Sequence, residues 1–181
     1  MNDDHLQHIR AAKAGDKEAF THLVRSYKDF LFRSAFAIVR DYGDAEDVVQ
    51  DSFVKAFLSI HTLKDERAFA SWISTITTRI ALDIVRRKSK IGEYNDSSPN
   101  PETVATPSAK SDLKLDIEDA LFQLSPEHRT VIALREVQGF DYQEIANILE
   151  IPIGTVRSRL SSARMQLRKR LYPDDEKGRS Q

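Results

Sequence analysis

Between Phe20 and Ile38 the apolar side chains fall at Phe20, Leu23, Val24, Tyr27, Leu31, Ala35 and Ile38. Spacing of this kind lines one stripe of an α-helix and cannot line one face of a strand, where side chains alternate every second residue. A helix with a single apolar stripe is stable only when that stripe is covered, so further helices must pack on it. Val49, Phe53, Ala56, Phe57 and Ile60 repeat the pattern in a second helix after Gly43, with Asp44 as its predicted N-cap. A third helix is expected from about Ala70, with Trp72, Ile73, Ile76, Ile80 and Ile84 turned inward. No stretch of useful length alternates with period two. The predicted fold class is all-α.

One segment breaks the pattern. "SKIGEYNDSSPNPETVATPSAKS", from Ser89 to Ser111, holds three prolines, and its scattered apolar residues follow no period. Such a stretch buries too little apolar surface to offset its ordering entropy. The expected organisation is therefore two small helical domains, over 1–88 and 112–172, joined by a flexible linker over 89–111 and followed by a disordered tail over 173–181.

The second domain is punctuated by helix signals. Asp112 to Leu124 reads as a short amphipathic helix. In "SPEHRTVIALREVQG", Ser125 is an N-cap, Pro126 takes the first helical position and Gly139 ends the element. In "DYQEIANIL", Asp141 caps and Glu144 follows three residues on, the pattern of a capping box. Pro152 and Gly154 interrupt, and helix resumes at Thr155. A helix of about eight residues, a short turn and a longer helix make a helix-turn-helix.

That longer helix is cationic. The chain carries a formal net charge of only −1, yet Arg157, Arg159, Arg164, Arg168, Lys169 and Arg170 sit between Ile151 and Tyr172 with no acid among them. Val156, Leu160, Ala163 and Leu167 form the stripe that must face the core. Arg157, Ser161, Arg164 and Arg168 line the adjoining face, with Ser158 and Met165 farther round. A solvated surface helix would intersperse glutamates for i, i+4 pairs. Small residues let a helix enter a groove, and arginines reach phosphates or the acceptor edge of guanine. The partner expected of this face is duplex DNA.

The first domain carries two further features. Asp44, Asp47 and Asp51 recur at i, i+3, i+7 with Glu46 alongside, which suits a helix N-terminus, a metal site or a face for a basic protein partner. The third helix turns Thr75, Arg79, Arg86 and Arg87 outward, with Lys88 and Lys90 following. Trp72, just after the loop "TLKDERAF", is either core or a platform for an unstacked base. With no cysteine there is no disulfide and no cysteine-based zinc site. His5, His8, His22, His61 and His128 make no ligand constellation, and no glycine-rich phosphate loop is present, so catalysis, metal and cofactor are not expected. No apolar run approaches the ~18 residues of a membrane span, and "MNDDHLQHIR" lacks a signal peptide's basic start, which points to the cytoplasm. Two rivals remain on these grounds: a freestanding helix-turn-helix regulator, and a metal-dependent hydrolase using the Asp44–Asp51 carboxylates.

Taken together, "GDAEDVVQDSFVKAF", "FASWISTITTRIALDIVRRK" and "LSPEHRTVIALREVQGFDYQEIANILEIPIGTVRSRLSSAR" resemble the bacterial sigma-70 family of RNA polymerase sigma factors, and most of all its two-domain extracytoplasmic-function group. The resemblance implies that the first domain corresponds to region 2 and the second to region 4. It implies docking of Asp44, Glu46, Asp47, Gln50 and Asp51 on the clamp helices of RNA polymerase core, with the flap as a further contact. Lys64, Arg67, Phe69, Trp72, Thr75, Arg79, Arg86 and Arg87 would read and melt the minus-ten element. Thr155, Arg157, Ser158, Ser161, Ser162, Arg164 and Arg168 would read the minus-thirty-five element in duplex DNA. It also implies a stress or envelope-response regulon, an anti-sigma partner and no stable homo-oligomer. Members often carry an aromatic or basic residue where this chain has Ser161 and Ser162.

Overall fold

The computed structural model describes residues 3–94, 117 and 119–172, which contain helices and no strand. The expected linker from 95 onward, the start of the helix expected at 112–124 and the tail over 173–181 lie outside the described residues. The first unit comprises α1 (Asp3–Lys13), α2 (Lys17–Val39), α3 (Tyr42–Ser59) and α4 (Phe69–Tyr94). Two 3-10 turns, Ile60–Thr62 and Glu66–Ala68, lead from α3 into α4. The second unit comprises α5 (Pro126–Ile132), α6 (Tyr142–Leu149) and α7 (Ile153–Leu171), preceded by helical residues at 117 and 119–122.

The helix ends follow from side-chain acceptors. Asp16 Oδ1 accepts from the amides of Glu18 and Ala19 at 2.9 and 3.1 Å and opens α2. Asp41, not Asp44, caps α3, accepting from the Asp44 amide at 2.8 Å. The helix therefore starts earlier than its apolar period alone suggests, and Gly43 lies inside its first turn. α4 starts at Phe69 and continues past Lys88 to Tyr94, because Arg86, Arg87, Lys88 and Lys90 favour helix even where no core holds them. α1 was not foreseen. It is tied down by Lys13, whose ammonium donates to Glu66 at 2.6 Å.

α2, α3 and α4 enclose one core that includes Leu23, Leu31, Ile38, Val48, Phe69 and Ile73. Small side chains occupy the places where these helices press together: Ala35, Ala45, Ala56 and Ala81 are fully buried, as are Ser34, Ser52, Ser74, Thr77 and Thr78. Ser52 and Thr77 donate to carbonyls of their own helices at 2.6 and 3.0 Å, which offsets the cost of burying their hydroxyls. By length and composition α4 could cross a membrane, but its apolar face packs on α2 and α3.

The second core joins Leu124, Val131, Leu134, Phe140, Ile145, Ile148, Val156, Leu160 and Ala163. The Asp141–Glu144 capping box is present, with both bonds at 2.8 Å. Ser125 caps α5 through the His128 amide. Gly139 adopts φ +78°, the left-handed conformation that favours glycine. Between α5 and Gly139, residues Ala133–Val137 take the wider π geometry, for which the sequence holds no signal. The turn between α6 and α7 passes through Glu150, also left-handed at φ +54°. α7 begins at Ile153, so Gly154 sits in its first turn instead of breaking the chain.

Candidate nucleic-acid interface

α7 buries Val156, Leu160 and Ala163 and packs Leu167 on the same core, as its period demands. Arg157, Ser158, Ser161, Arg164, Met165 and Arg168 are exposed on the other side, while Thr155 and Ser162 are half-buried at its margin. Pro152 provides no side-chain cap, and no acid lies in the first turn, so the positive end of the helix dipole faces outward unopposed. Ser158 Oγ donates to the Thr155 carbonyl at 3.0 Å, leaving its lone pairs outward.

Arg164 stands apart from Arg157. Its guanidinium donates to Glu136 Oε1 at 2.6 Å and reaches the Tyr142 hydroxyl at 3.5 Å. The bond to Glu136, then that to Tyr142, pushes its pKa above the ordinary arginine value. Arg135 lies over the Tyr142 ring at 5.3 Å and donates to the Phe140 carbonyl at 2.9 Å. Arg164 is thus held in one orientation at the edge of the cationic face.

On the first unit, Lys64, Arg67, Arg79, Arg86 and Arg87 are exposed, with Trp72 and Thr75 half-buried between them and the core. Thr75 donates to the Ser71 carbonyl at 2.8 Å. Arg86 pairs with Asp83 at 3.3 Å, and Arg79 with Glu150 of the second unit at 2.5 Å. Phe69, expected at the minus-ten surface, is 0% exposed, with its ring 5.1 Å from Tyr27 and 5.7 Å from Trp72, so here it is a core residue. The apolar turn it belongs to supports Trp72 from beneath.

Glu46, Asp47, Gln50 and Asp51 form an exposed strip along α3. Asp44 differs: it is half-buried and ion-paired with Lys88 of α4. Below the acids the strip turns apolar. Val54 and Leu58 are 59% and 69% exposed, and Phe57, expected inward, leans edge-on against Phe20 yet stays 44% exposed. The sequence carried the signal, since 47, 51, 54 and 58 share one helical face; the acidic stripe simply continues for two more turns as hydrocarbon. Among the described residues no three His, Asp or Glu side chains converge as metal ligands would.

An acidic and apolar strip on α3 and a cationic helix-turn-helix face now have to be accounted for in one chain. Residues 23–91 match Sigma-70 region 2, and residues 114–167 match Sigma-70 region 4. The ECF RNA polymerase sigma factor SigW of Bacillus subtilis (strain 168) is 31% identical, over 90% of this chain and 94% of its own length. The chain belongs to the extracytoplasmic-function sigma factors. ECF RNA polymerase sigma factor SigE of Mycolicibacterium smegmatis is 35% identical over 85% of this sigma factor, which spans 63% of that relative's length. The sigma factor RpoE of Bartonella quintana, solved in complex with the anti-sigma factor NepR, superposes with a TM-score of 0.70 at 28% identity, covering 83% of this chain and 96% of the other. Region 2 thus runs from within α2 to α4 and carries the acidic strip, and region 4 carries the helix-turn-helix. Sigma factors are transcription regulators, so neither the hydrolase nor the freestanding regulator is the family of this chain.

Proposed function

We propose that this sigma factor binds RNA polymerase core through the α3 strip, reads the minus-thirty-five element with α7 and opens the minus-ten element with α4 and the turns before it. The observation that carries this is the segregation of two working faces: Glu46, Asp47, Gln50 and Asp51 with Val54 and Leu58 on the first unit, and the acid-free face from Arg157 to Arg168 on the second. A run of carboxylates continued by apolar side chains suits a basic, partly apolar helical partner such as the clamp helices, and desolvated apolar contacts hold what the charges steer.

Promoter choice then needs no covalent step. Phosphate contacts from Arg168 and its neighbours set register, and Arg157, Ser158 and Ser161, nearest the N-terminus of α7, meet base edges in the major groove. At the minus-ten element Lys64, Arg67, Arg79, Arg86 and Arg87 hold the backbone. Trp72 offers its exposed edge to an unstacked base, a contact worth about 1–3 kcal/mol and enough to offset the lost stacking. The setting is the cytoplasm, where polymerase and promoter are found. An anti-sigma protein is the expected antagonist, since RpoE of Bartonella quintana was solved bound to one, and the regulon is one of stress or envelope response.

Transcription by purified polymerase core, with and without the sigma factor, on fragmented bacterial genomic DNA tests the proposal. New start sites should appear only when the chain is added, each preceded by shared sequence blocks near minus thirty-five and minus ten. Absence of any new start would overturn it.

A further inference from the structure

α1 belongs to neither working face. It ends at Lys13, before the region 2 match begins at residue 23. It is nevertheless firmly seated. Ile9 and Ala12 are buried in the region 2 core, and the His8 ring stacks on His22 of α2 at 4.6 Å and 15°. From that seat α1 touches both 3-10 turns that lead into α4, the stretch that carries Lys64 and Arg67.

The segment 64–68 runs between two buried anchors, Leu63 at 4% exposure and Phe69 at 0%. Lys64, Asp65 and Arg67 are exposed, and the bond between them is local: Asp65 Oδ1 accepts from the Arg67 amide at 2.9 Å. Glu66 differs. It is half-buried and accepts from Lys13 Nζ at 2.6 Å. The two side chains keep only 23% and 24% of their surface exposed, so salt screens this pair less than it would an open surface pair. The bond from Lys13 is the largest of the causes that hold the Glu66 carboxyl below the usual carboxylate range, and Arg10, one turn back on α1, acts in the same direction.

The other end of α1 reaches the same surface from beneath. His5 is bonded to the Tyr27 hydroxyl at 2.9 Å, the Tyr27 ring meets Phe69 edge-on at 5.1 Å, and Phe69 lies against Trp72 at 5.7 Å. One helix therefore supports the turn through an ion pair and Trp72 through a relay of rings.

We propose that α1 is a positioning element for promoter opening, in which Lys13 holds Glu66 so that the 64–68 turn presents Lys64 and Arg67 to melted DNA in one fixed conformation. The inference rests on the assignment of this turn and Trp72 to the minus-ten element. A turn that is already ordered when DNA arrives loses less conformational freedom on binding, and that saving appears as affinity and as discrimination between bases. Lys13 and Glu66 are positioning residues; the contacts to DNA are made by their neighbours.

The test uses holoenzyme assembled from polymerase core and the full chain. The probe is a fork-junction template built on the strongest mapped start site, duplex through the minus-thirty-five element and single-stranded across minus ten. Lys13→Glu is the first variant, because Arg10 is near enough to act on Glu66 if Lys13 is merely shortened. It should weaken capture of the fork about two- to tenfold and flatten discrimination among minus-ten base variants. Pull-down of core and capture of a duplex carrying the minus-thirty-five element alone should stay at wild type. Combining Lys13→Glu with Glu66→Lys reverses the pair and should restore both fork capture and discrimination. Combining Lys13→Met with Glu66→Gln removes the charges and the tie together, and should stay impaired. Hydrogen exchange of the amides at 64–68 should rise in Lys13→Glu and return in the reversed pair.

Undiminished fork capture by Lys13→Glu, or no recovery in the reversed pair, would overturn the positioning role. So would full recovery in the uncharged pair, which would leave only the removal of a repelling carboxylate, and so would an equal loss of core pull-down, which would make α1 a general support of the fold. A wild-type holoenzyme indifferent to the single-stranded minus-ten bases would instead overturn the assignment of the turn itself.

Discussion

Replacing Phe69 with alanine separates a core role from a nucleic-acid role for a residue that is fully buried yet was expected to meet the minus-ten element. The side chain is 0% exposed, and two aromatic neighbours lie at 5.1 and 5.7 Å. Truncating a fully buried phenylalanine costs about 3–5 kcal/mol through lost transfer energy and the cavity left behind. The edge contact to Tyr27 adds about 0.5–1.5 kcal/mol, and the tilted contact to Trp72 adds packing, which places this site in the upper half of that range. Phe69→Leu keeps most of the volume and should cost only about 1–2 kcal/mol. The single tryptophan, Trp72, adjoins the site, so its fluorescence during urea unfolding reports this unit specifically. The midpoint should fall in the order wild type, leucine, alanine, with the slope unchanged. At low temperature, where Phe69→Leu is folded, promoter opening by its holoenzyme should match wild type. A Phe69→Ala loss below about 1 kcal/mol, or a stable Phe69→Leu protein that no longer opens promoters, would refute burial as the role of this residue.

Three further outcomes are expected. Asp47→Arg combined with Asp51→Arg reverses charge on an exposed strip, so pull-down of polymerase core should fall to background while circular dichroism stays at wild type; undiminished capture would remove α3 as the docking face. Arg157→Ala should cost about 1–3 kcal/mol at one promoter position, and uniform reporter output across a set of minus-thirty-five variants would move base readout elsewhere. His5 is bonded to the Tyr27 hydroxyl at 2.9 Å, and burial first, then repulsion from His8 and the N-terminus, lowers its pKa from the ordinary 6.5. The folded state binds fewer protons, so its contribution is complete above pH 6.5 and is lost as pH falls through the lowered value. Hydrogen-exchange protection of α1 should drop over that window and flatten in His5→Gln; protection independent of pH would contradict the assignment.

Much of this architecture was legible because helical period is local information. The stripe from Phe20 to Ile38, the capping box at Asp141 and the apolar face of α7 each depend on residues within a few turns, and each stands where it was expected. Failures came where distant residues decide. Phe69 resembles a loop aromatic next to cations, and only the approach of Tyr27 makes it core. Asp41 outcompetes Asp44 as a cap because α2 stops at Arg40, which takes the left-handed φ of +66°. Of the α3 acids, Glu46, Asp47 and Asp51 lie exposed while Asp44 turns to Lys88, and Phe57 is expected inward because periodicity cannot tell which edge of an apolar stripe another helix covers. Lys13 could not have been singled out: in sequence it is one more cation in a helix, and its value lies in a carboxylate 53 residues away.

The smallest side chains of region 2 set a mechanical gauge. Ser34, Ser52, Ser74 and Thr77 keep α2, α3 and α4 in near contact, so the α3 strip proposed to meet polymerase and the α4 face proposed to open the promoter are adjoining walls of one packed unit. An oversized residue at any of these points would tilt both walls together. Enzyme affinity and strand separation would then drift as a pair, and a variant selected for one would carry an altered form of the other.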